Sequence, residues 1–253
     1  MSEDPHIRIR DLNLYYNDAQ VLKDINVNIH SLHVTAIIGA SGCGKTSLLK
    51  CINRMAELAP RARVDGEVIV GNQNIYARGI DVTAVRKRIG LIAQKPTPLP
   101  MSIFENVAYG PRIYGTGSKK KLRETVERCL MTVGLWDEVK DRLKDPASRL
   151  SIGQQQRLCL ARGLAVEPEV LLFDEPTSSL DPNSALRIER AIVDLKSNYT
   201  CVVVTHNLGQ ARRIADHVLF MSDGKLVEHG AAHAMFGSPR EAQTQAYIVD
   251  ESL

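Results

Sequence analysis

Apolar and polar positions alternate over the first thirty residues of the chain. Isoleucine or valine occupies every second position in residues 7–10 and 25–29, with arginine or asparagine between them. A two-residue period is typical of strands that bury one face and expose the other. We therefore predict that the chain begins with an antiparallel sheet.

A second kind of segment is apolar or β-branched throughout. Residues 34–38 form such a run, which is typical of a strand covered on both faces, and a glycine-rich turn separates it from a helix predicted to begin near Lys45. Helical segments separate several further runs of this kind. The alternation predicts an α/β fold with a mainly parallel core sheet. The further buried strands are predicted at residues 89–93, 170–173, 201–205 and 218–221.

Residues 102–165 contain no convincing strand pattern, and their apolar positions recur with a helical period. We assign residues 96–165 to an inserted helical subdomain of a single domain spanning 1–253. Residues 1–95 and 166–253 then form the core with its N-terminal β subdomain. Prolines precede the helical stretch that begins at residue 102 and predict a hinge at the start of this subdomain. The periodic positions are Leu122, Val126, Cys129, Leu130 and Val133, and the prolines are Pro96, Pro98 and Pro100.

Composition narrows the class of protein. The 253 residues are 44% hydrophobic and 24% charged, which is ordinary for a globular domain with a sizeable core. The net charge of +3 arises from well-mixed residues, and the single compact basic run, residues 119–121, is the solvated start of a helix. The charge pattern therefore gives no reason to expect nucleic acid as a partner.

The cysteines and the N-terminal residues predict a protein of the cytoplasm. Five cysteines are scattered without a disulfide or metal-binding spacing, so we expect reduced thiols. Residues 1–5 are acidic and lack the order of a signal peptide. No apolar stretch approaches the ~20 residues of a membrane-spanning helix. Any membrane contact is therefore expected to go through a partner protein.

A glycine-rich segment between the predicted strand and helix carries the first chemical motif. It fits the phosphate-binding pattern GxxxxGK[ST], in which glycines let backbone N–H groups surround phosphate oxygens at a helix N-terminus. Lys45 is predicted to reach the β- and γ-phosphates, and Thr46 to bind Mg²⁺. Cys43 lies in an electropositive setting, so we expect a thiolate whose alkylation inactivates. The predicted nucleotide-binding residues here are Gly39, Ala40, Ser41, Gly42, Cys43, Gly44, Lys45, Thr46 and Ser47.

Two carboxylates end the buried strand at residues 170–173. Because neighbouring strand residues point to opposite sides, Asp174 and Glu175 have different roles. We predict that Asp174 holds Mg²⁺ and that Glu175 polarises the attacking water as a general base. Together with the phosphate-binding segment, they predict an enzyme that hydrolyses a nucleoside triphosphate.

The motifs as a set resemble the ATP-binding-cassette (ABC) ATPases over essentially the whole chain. The signature segment, Leu-Ser-Ile-Gly-Gln at residues 150–154, is what distinguishes this family from other phosphate-loop ATPases. The resemblance implies a RecA-like phosphate-loop fold and an ATPase that powers a transporter. The residues that carry it, in order, are Tyr16, the segment 39–46, Gln94, the segments 150–154, 170–175 and 179–181, and His206.

The resemblance also implies a head-to-tail homodimer with two composite sites. ATP bound at the Lys45 loop of one chain is closed over by the signature segment of the other chain. The resemblance further implies that Tyr16 stacks on adenine and that Gln94 senses Mg²⁺ and the attacking water. It implies that His206 contacts the γ-phosphate and that Asp181 organises the dimer seam. The signature residues are Ser151, Gly153 and Gln154.

Ile152 departs from the family pattern, which has glycine at this position. Residues 151–154 also read as a capping box with Ser151 as the N-cap, so the backbone permits isoleucine. The side chain is then either harmless or a steric obstacle to closure of the dimer. We favour a modest obstacle.

Several further segments resemble the phosphate-import branch of the family in bacteria. This implies partnership with two membrane-spanning permease subunits and, indirectly, an external phosphate-binding protein, at the cytoplasmic face of the inner membrane. An importer ATPase for amino acids or another small solute remains an alternative. A DNA-repair ATPase would carry a long coiled coil or a basic stripe, and a regulatory module without turnover would lack Glu175 or His206. The segments are residues 51–55, 63–68, 94–103 and 153–159.

Overall fold

The computed structural model describes residues 5–115 and 117–250. Residues 1–4, which belong to the segment used to predict the absence of a signal peptide, lie outside the described residues. Its strands are β1 (Pro5–Tyr16), β2 (Ala19–His30), β3 (Val34–Ile38), β4 (Ala62–Val70), β5 (Gln73–Asn74), β6 (Ile89–Ile92), β7 (Val170–Asp174), β8 (Thr200–Val204), β9 (His217–Ser222) and β10 (Lys225–Ala231). Its α-helices are α1 (Lys45–Ile52), α2 (Val82–Arg88), α3 (Ile103–Ile113), α4 (Lys119–Thr132), α5 (Trp136–Val139), α6 (Ile152–Leu164), α7 (Pro182–Leu195), α8 (Leu208–Ile214), α9 (Ala232–Gly237) and α10 (Ala242–Asp250).

The N-terminal strands form the predicted antiparallel sheet. β1 pairs with β2 on one side and with β4 on the other, giving the order β2-β1-β4-β5. Ile7 and Ile9 of β1 are fully buried at alternating positions, and an irregularity at Asp11 shifts the period so that Leu12 and Leu14 are buried on the same side. The alternation in the sequence therefore predicted both the strands and the buried face.

The second sheet is the predicted parallel core. Its order is β10-β9-β3-β8-β7-β6, with parallel pairing from β9 through β6 and an antiparallel β10 at one edge. All five residues of β3 and of β8 are buried, since helices and the first sheet cover both faces. The mainly parallel α/β prediction is confirmed, and the bounds of the predicted core strands differ by one residue at some ends.

Register within this sheet sets where the loops emerge. Ile37 of β3 and Asp174 of β7 both lie opposite Val204 of β8. The carboxyl ends of three adjacent strands are therefore level, and the segments that follow them leave from one edge. Ligands bind at this edge in open α/β sheets, so register alone selects the candidate site.

Residues 102–165 are helical, as predicted. In their described part the single β interaction is an isolated bridge between Ser102 and Pro146. α4 begins at the lysine run and buries the periodic apolar positions that predicted it. Its core is continuous with the sheet, because Leu130 and Leu158 belong to the same hydrophobic cluster as Phe173 of β7. The division of the chain at residues 96 and 165 stays a prediction.

Polar residues at helix N-termini fix where many helices begin. Six helices start at a serine, aspartate or asparagine whose side chain accepts a backbone N–H of the first turn. These bonds satisfy donors that have no partner within the helix. No helix in the described part of the chain is long and apolar enough to cross a membrane. The six caps are Asp81, Ser102, Ser118, Ser151, Asp181 and Asn207.

Gly66 allows β4 to pass an irregularity in β1, and this contact yields a test of the sheet. Its φ is +98°, and a Cβ there would lie 2.3 Å from the carbonyl oxygen of Asp11. We expect Gly66→Ala to lower the free energy of unfolding by about 2–3 kcal/mol, since it combines backbone strain with a clash. Urea denaturation followed by circular dichroism measures the change.

Gly71→Ala is the matched control for Gly66→Ala. Gly71 also has a positive φ, +60°, but a Cβ there meets no atom within 4 Å. This variant should lose only about 1 kcal/mol, the cost of the left-handed backbone alone. Equal losses in the two variants would show that the contact with Asp11 has no energetic importance.

Candidate functional site

The phosphate-binding segment turns sharply between β3 and α1. Gly39 has φ +143°, and a Cβ there would lie 2.2 Å from the carbonyl oxygen of Met221, so only glycine fits. Gly44, with φ +105°, is the N-cap of α1 and provides no side chain to its first turn. The backbone N–H groups of this turn are thus left for a ligand, and the helix N-terminus favours an anion.

Lys45 is buried beneath this turn. Its Nζ donates to the carbonyl oxygens of Gly39 at 2.7 Å and Ala40 at 2.8 Å. The ammonium group is therefore held within the loop that would surround the phosphates. A cavity of about 280 Å³ lies above it. Its lining residues are Val21, Ser41, Gly42, Gly44, Lys45, Thr46, Ser47 and Glu175.

The two residues predicted to hold Mg²⁺ are in direct contact. The Thr46 hydroxyl donates to Oδ1 of Asp174 at 2.7 Å, joining the start of α1 to the end of β7. Hydroxyl and carboxylate oxygens are suitable ligands for Mg²⁺, which usually takes its remaining ligands from water and substrate phosphates. Among the described residues no three His, Cys, Asp or Glu side chains form a metal cage. This donor set therefore fits Mg²⁺ bound together with a nucleotide.

Glu175 is the meeting point of the predicted catalytic residues. Its Oε2 accepts from Nε2 of Gln94 at 3.0 Å and lies 3.1 Å from Nδ1 of His206. Its own N–H donates to the carbonyl oxygen of Val204 at 2.9 Å, and its φ is +46°. A left-handed backbone in a residue other than glycine costs on the order of 1–2 kcal/mol and is frequent at functional sites. Here it directs the carboxylate toward Gln94 and His206.

Ser178 belongs to the same cluster, although the sequence motifs did not single it out. Its hydroxyl donates to the carbonyl oxygen of Glu175 at 3.1 Å and contacts Nε2 of Gln94 at 3.3 Å. The signal in the sequence was a Thr-Ser-Ser run, residues 177–179, which a single proline separates from the two carboxylates. A cavity of about 500 Å³ lies beside this cluster, lined in part by Glu175 and His206. Glu175 therefore faces both this cavity and the phosphate-binding one.

Tyr16 lies near the phosphate-binding helix. It is the last residue of β1, its ring packs on the cluster that contains α1, and its hydroxyl is within hydrogen-bonding reach of Ser47. Burial raises its pKa above the ordinary value for tyrosine. The neighbouring Tyr15 instead makes a cation–π contact with Arg63, whose guanidinium carbon lies 4.2 Å from the centroid of the Tyr15 ring. The position of Tyr16 is compatible with adenine stacking, which stays a prediction.

The signature residues lie apart from the phosphate-binding cavity of their own chain. Ser151 and Gln154 form the predicted capping box at the start of α6. Gly153 packs against α7 so closely that a Cβ would lie 2.6 Å from Oγ of Ser184. None of these signature residues lines either of the two cavities. A site that needs both the phosphate loop and the signature is therefore not assembled within one chain.

Asp181 has a local role at the start of α7. Its carboxylate accepts from the backbone N–H groups of Asn183 at 3.1 Å and Ser184 at 3.0 Å. The pKa of Asp181 is lowered chiefly by a hydrogen bond from the side chain of Ser184, and the backbone N–H groups of Ser184 and Asn183 lower it further. The same first turn lies against Gly153, so the predicted seam residue and the signature are neighbours in the folded chain. The contact of Asp181 with a second chain is separate from this capping role and stays a prediction.

The prediction of a reactive Cys43 thiolate is wrong in its premise. Cys43 is buried, and burial raises the pKa of its thiol more than the nearby charge of Lys45 lowers it. The thiol is therefore the favoured form at neutral pH, and alkylation should be slow. All five cysteines are free and buried.

Comparison with known proteins identifies the class to which this geometry belongs. The family model described as ABC transporter matches residues 22–178, which include the phosphate-binding segment, the signature and Glu175. The chain belongs to the ABC transporter family, and the predictions of an ABC ATPase and of its fold are confirmed.

Individual relatives extend the match to nearly the full chain. The chain is 51% identical over 247 residues to the Phosphate import ATP-binding protein PstB of Pseudoalteromonas translucida (strain TAC 125), covering 98% of this chain and 90% of that protein. CbiO1 from Clostridium perfringens, part of the ABC transporter complex CbiONQ, superposes with a TM-score of 0.80 at 30% identity, covering 93% and 92% of the two chains. A dimeric ATP-binding cassette in a post-hydrolysis state, bound to ADP and Pi, superposes with a TM-score of 0.76 at 28% identity, covering 89% and 98%.

Ile152 offers a test of the signature end of α6. It is the first residue of the helix, and its side chain is 54% exposed, so isoleucine is not needed for packing within the chain. We expect Ile152→Gly to raise ATPase activity several-fold, because the bulk of a side chain at the predicted dimer seam opposes closure. Steady-state phosphate release measures the effect.

Ile152→Leu is the control, because it keeps the bulk of the side chain and changes only its branching. It should leave the activity close to that of the unaltered protein. If Ile152→Gly has unchanged or lower activity, the isoleucine packs productively in the seam and the steric interpretation is wrong.

Proposed function

We propose that this chain is the ATP-hydrolysing subunit of a bacterial importer of inorganic phosphate. The chemistry is supported by the cluster in which Gln94 and His206 meet Glu175 beside the Lys45 loop. The transported ion is supported by one observation, the 51% identity over 98% of the chain to a phosphate import ATP-binding protein.

The proposed reaction uses Glu175 as the general base. Its carboxylate takes a proton from a water molecule as the water oxygen forms a bond to the γ-phosphorus of ATP. The bond between that phosphorus and the bridging oxygen breaks, and its electron pair leaves with ADP. Gln94 and His206 hold the carboxylate through Oε2, so the base is oriented before the water arrives.

The proposed site binds ATP with Mg²⁺. Lys45 and the N–H groups before α1 take the phosphates, and Thr46 and Asp174 hold the metal through the oxygens that are already in contact. When bound, Mg²⁺ neutralises charge on the β- and γ-phosphates. Tyr16 packs on the adenine, as its place beside Ser47 allows.

The proposed working unit is a head-to-tail homodimer. The phosphate loop and the signature of a single chain do not share a cavity, so closure of a site requires a second copy. Ser151 and Gly153 of one copy then close over ATP on the other, with Gln154 supporting the cap and Asp181 at the seam. Each dimer contains two such sites.

The dimer is proposed to lie at the cytoplasmic face of the inner membrane as a peripheral component. Two membrane-spanning permease subunits bind it there, and an external phosphate-binding protein acts through them. The support is the name of the 51% identical relative, a phosphate import ATP-binding protein, and the membership of CbiO1 in a transporter complex. The hinge at Pro96, Pro98 and Pro100 would carry movement between the helical segment and Gln94.

The base role of Glu175 predicts the behaviour of Glu175→Gln. The amide preserves shape and loses the basic oxygen, so ATP binding should persist while turnover falls by at least about a hundredfold. Trapped before hydrolysis, the variant should accumulate as an ATP-bound dimer. Phosphate release and sedimentation velocity measure the two effects. Near-normal turnover would remove Glu175 from the role of base.

Phosphate uptake tests the proposed substrate directly. Cells whose own phosphate-import ATPase has been deleted should take up radiolabelled phosphate when this chain is expressed with the cognate permease subunits. Lys45→Ala should abolish this uptake, because the phosphates of ATP lose their main cation. Co-purification of the chain with amino-acid permease subunits, combined with absence of phosphate uptake, would favour the alternative importer.

A further inference from the structure

Glu138, in the short helix α5, is the hub of a hydrogen-bond network below the signature. Its Oε1 accepts from Nη1 of Arg157 at 2.8 Å and from Nη1 of Arg187 at 2.8 Å. Its Oε2 accepts from Nε2 of Gln154 at 2.8 Å and from Nη2 of Arg157 at 3.1 Å. One carboxylate therefore receives four hydrogen bonds from two helices other than its own.

The bond to Gln154 reaches the signature cap. The side-chain oxygen of Gln154 accepts from the backbone N–H of Ser151 at 3.0 Å, and its amide nitrogen donates to Glu138. With one end held by Glu138, the amide can offer only its oxygen to Ser151. Glu138 thus determines which way the amide faces, and through it the conformation of the cap.

Arg157 fixes the same helix one turn further on. Its side chain is 4% exposed and forms a two-bond pair with Glu138, while Nη1 also donates to the carbonyl oxygen of Gly134. A guanidinium buried to this degree needs a carboxylate, because an unpaired charge in the interior is strongly unfavourable. The hydrogen bonds from Arg157 are also the main reason that the pKa of Glu138 is lowered, so the hub is ionised at neutral pH.

Arg187 connects the hub to α7, the helix capped by Asp181. Its side chain is 57% exposed, so its contribution to folding is small. The first turn of α7 also meets the signature directly, since Gly153 packs against Ser184. The start of α6 is therefore held to α7 at two places, through this backbone contact and through Glu138.

From this geometry we infer that Glu138 is a positioning residue for the composite ATP site, holding the signature cap of α6 in register with the start of α7. The inference rests on the proposed homodimer, in which both segments face the nucleotide of the other chain. Without the carboxylate, the amide of Gln154 is free to turn and Arg157 loses its counter-charge. The signature then adopts several positions, and closure over ATP becomes less favourable.

The test compares Glu138→Gln with Glu167→Gln, both in the Glu175→Gln background. Glu167 is a suitable control because it also pairs with an arginine, Arg128 at 3.0 Å, and this pair is exposed and is not part of the hydrogen-bond network around Glu138. Sedimentation velocity with Mg-ATP gives the dimer dissociation constant. Fluorescent ATP titration of the dilute protein gives nucleotide affinity, and thermal denaturation reports folding.

We expect Glu138→Gln to raise the dimer dissociation constant by about tenfold or more. Displacing the signature residues by up to about 1 Å is enough to cause a loss of this size. Nucleotide affinity should stay within about twofold, because no atom of the network touches the Lys45 loop. Glu167→Gln should match the parent in both measurements. A merely structural role would not weaken dimerisation while leaving nucleotide affinity unchanged.

Arg187→Gln keeps the buried pair of Glu138 and Arg157 intact and removes only the hydrogen bond that connects Glu138 to α7. We expect the same direction of change in dimerisation, smaller in size, with an unchanged melting temperature. Loss of ATP binding in parallel with loss of folding in Glu138→Gln, together with normal dimerisation of Arg187→Gln, would overturn the positioning role.

The parent variant separates this inference from the proposed function. If Glu175→Gln itself shows no ATP-dependent dimer, the composite site is wrong and the role of Glu138 is wrong with it. If the parent dimerises and Glu138→Gln dimerises equally well, the homodimer stands and only the role of Glu138 is refuted.

Discussion

Parallel pairing of β3, β8 and β7 is the constraint on which the rest of the site depends. Because Ile37 and Asp174 lie opposite the same residue, Val204, three loops leave the sheet at one level. The bond from Thr46 to Asp174 and the contact of His206 with Glu175 both follow from this register. A shift of one residue in either pairing would turn each side chain to the other face and separate these groups.

Helix α6, the last helix of the helical segment 102–165, connects this segment to the loops at the carboxyl ends of the core strands. Its N-terminus carries the signature, and its body contacts the chain on either side of Gln94: Gln156 donates to the carbonyl oxygen of Ala93, and Arg162 to that of Thr97. The proline-containing loop is further held by the buried amide of Asn106, which bonds the N–H and the carbonyl of Leu99. Hydrogen bonds from α6 therefore hold the backbone on both sides of Gln94, the residue that contacts Glu175.

Polar networks support this arrangement from both sides. Glu138 organises the signature end, while Glu189 of α7 is buried and pairs through two bonds with Arg213 of α8, the helix that follows His206. Buried pairs of this kind contribute little net stability, but they allow few alternative packings because each charge must keep its partner. Both networks lie next to segments proposed to face the second chain, where positional accuracy matters most.

Sequence alone determined the elements and the chemistry of the motifs. A two-residue period marked the N-terminal strands, unbroken apolar runs marked the core sheet, and the spacing of glycines with Lys45 and Thr46 marked the phosphate loop. Each of these signals is local, so neighbouring residues contain the whole of it. The capping box at Ser151 was likewise visible, because its two partners are three residues apart.

Tertiary structure alone decided what depends on distant segments. The hub at Glu138 joins three helices, and the place of Ser178 depends on a strand far away in sequence, so no local pattern predicted either. Cys43 shows the same limit in the opposite direction, because its sequence neighbours suggested a thiolate while burial by remote side chains raises its pKa. Desolvation and charge pairing are sums over everything nearby in space, and only the fold defines which residues those are.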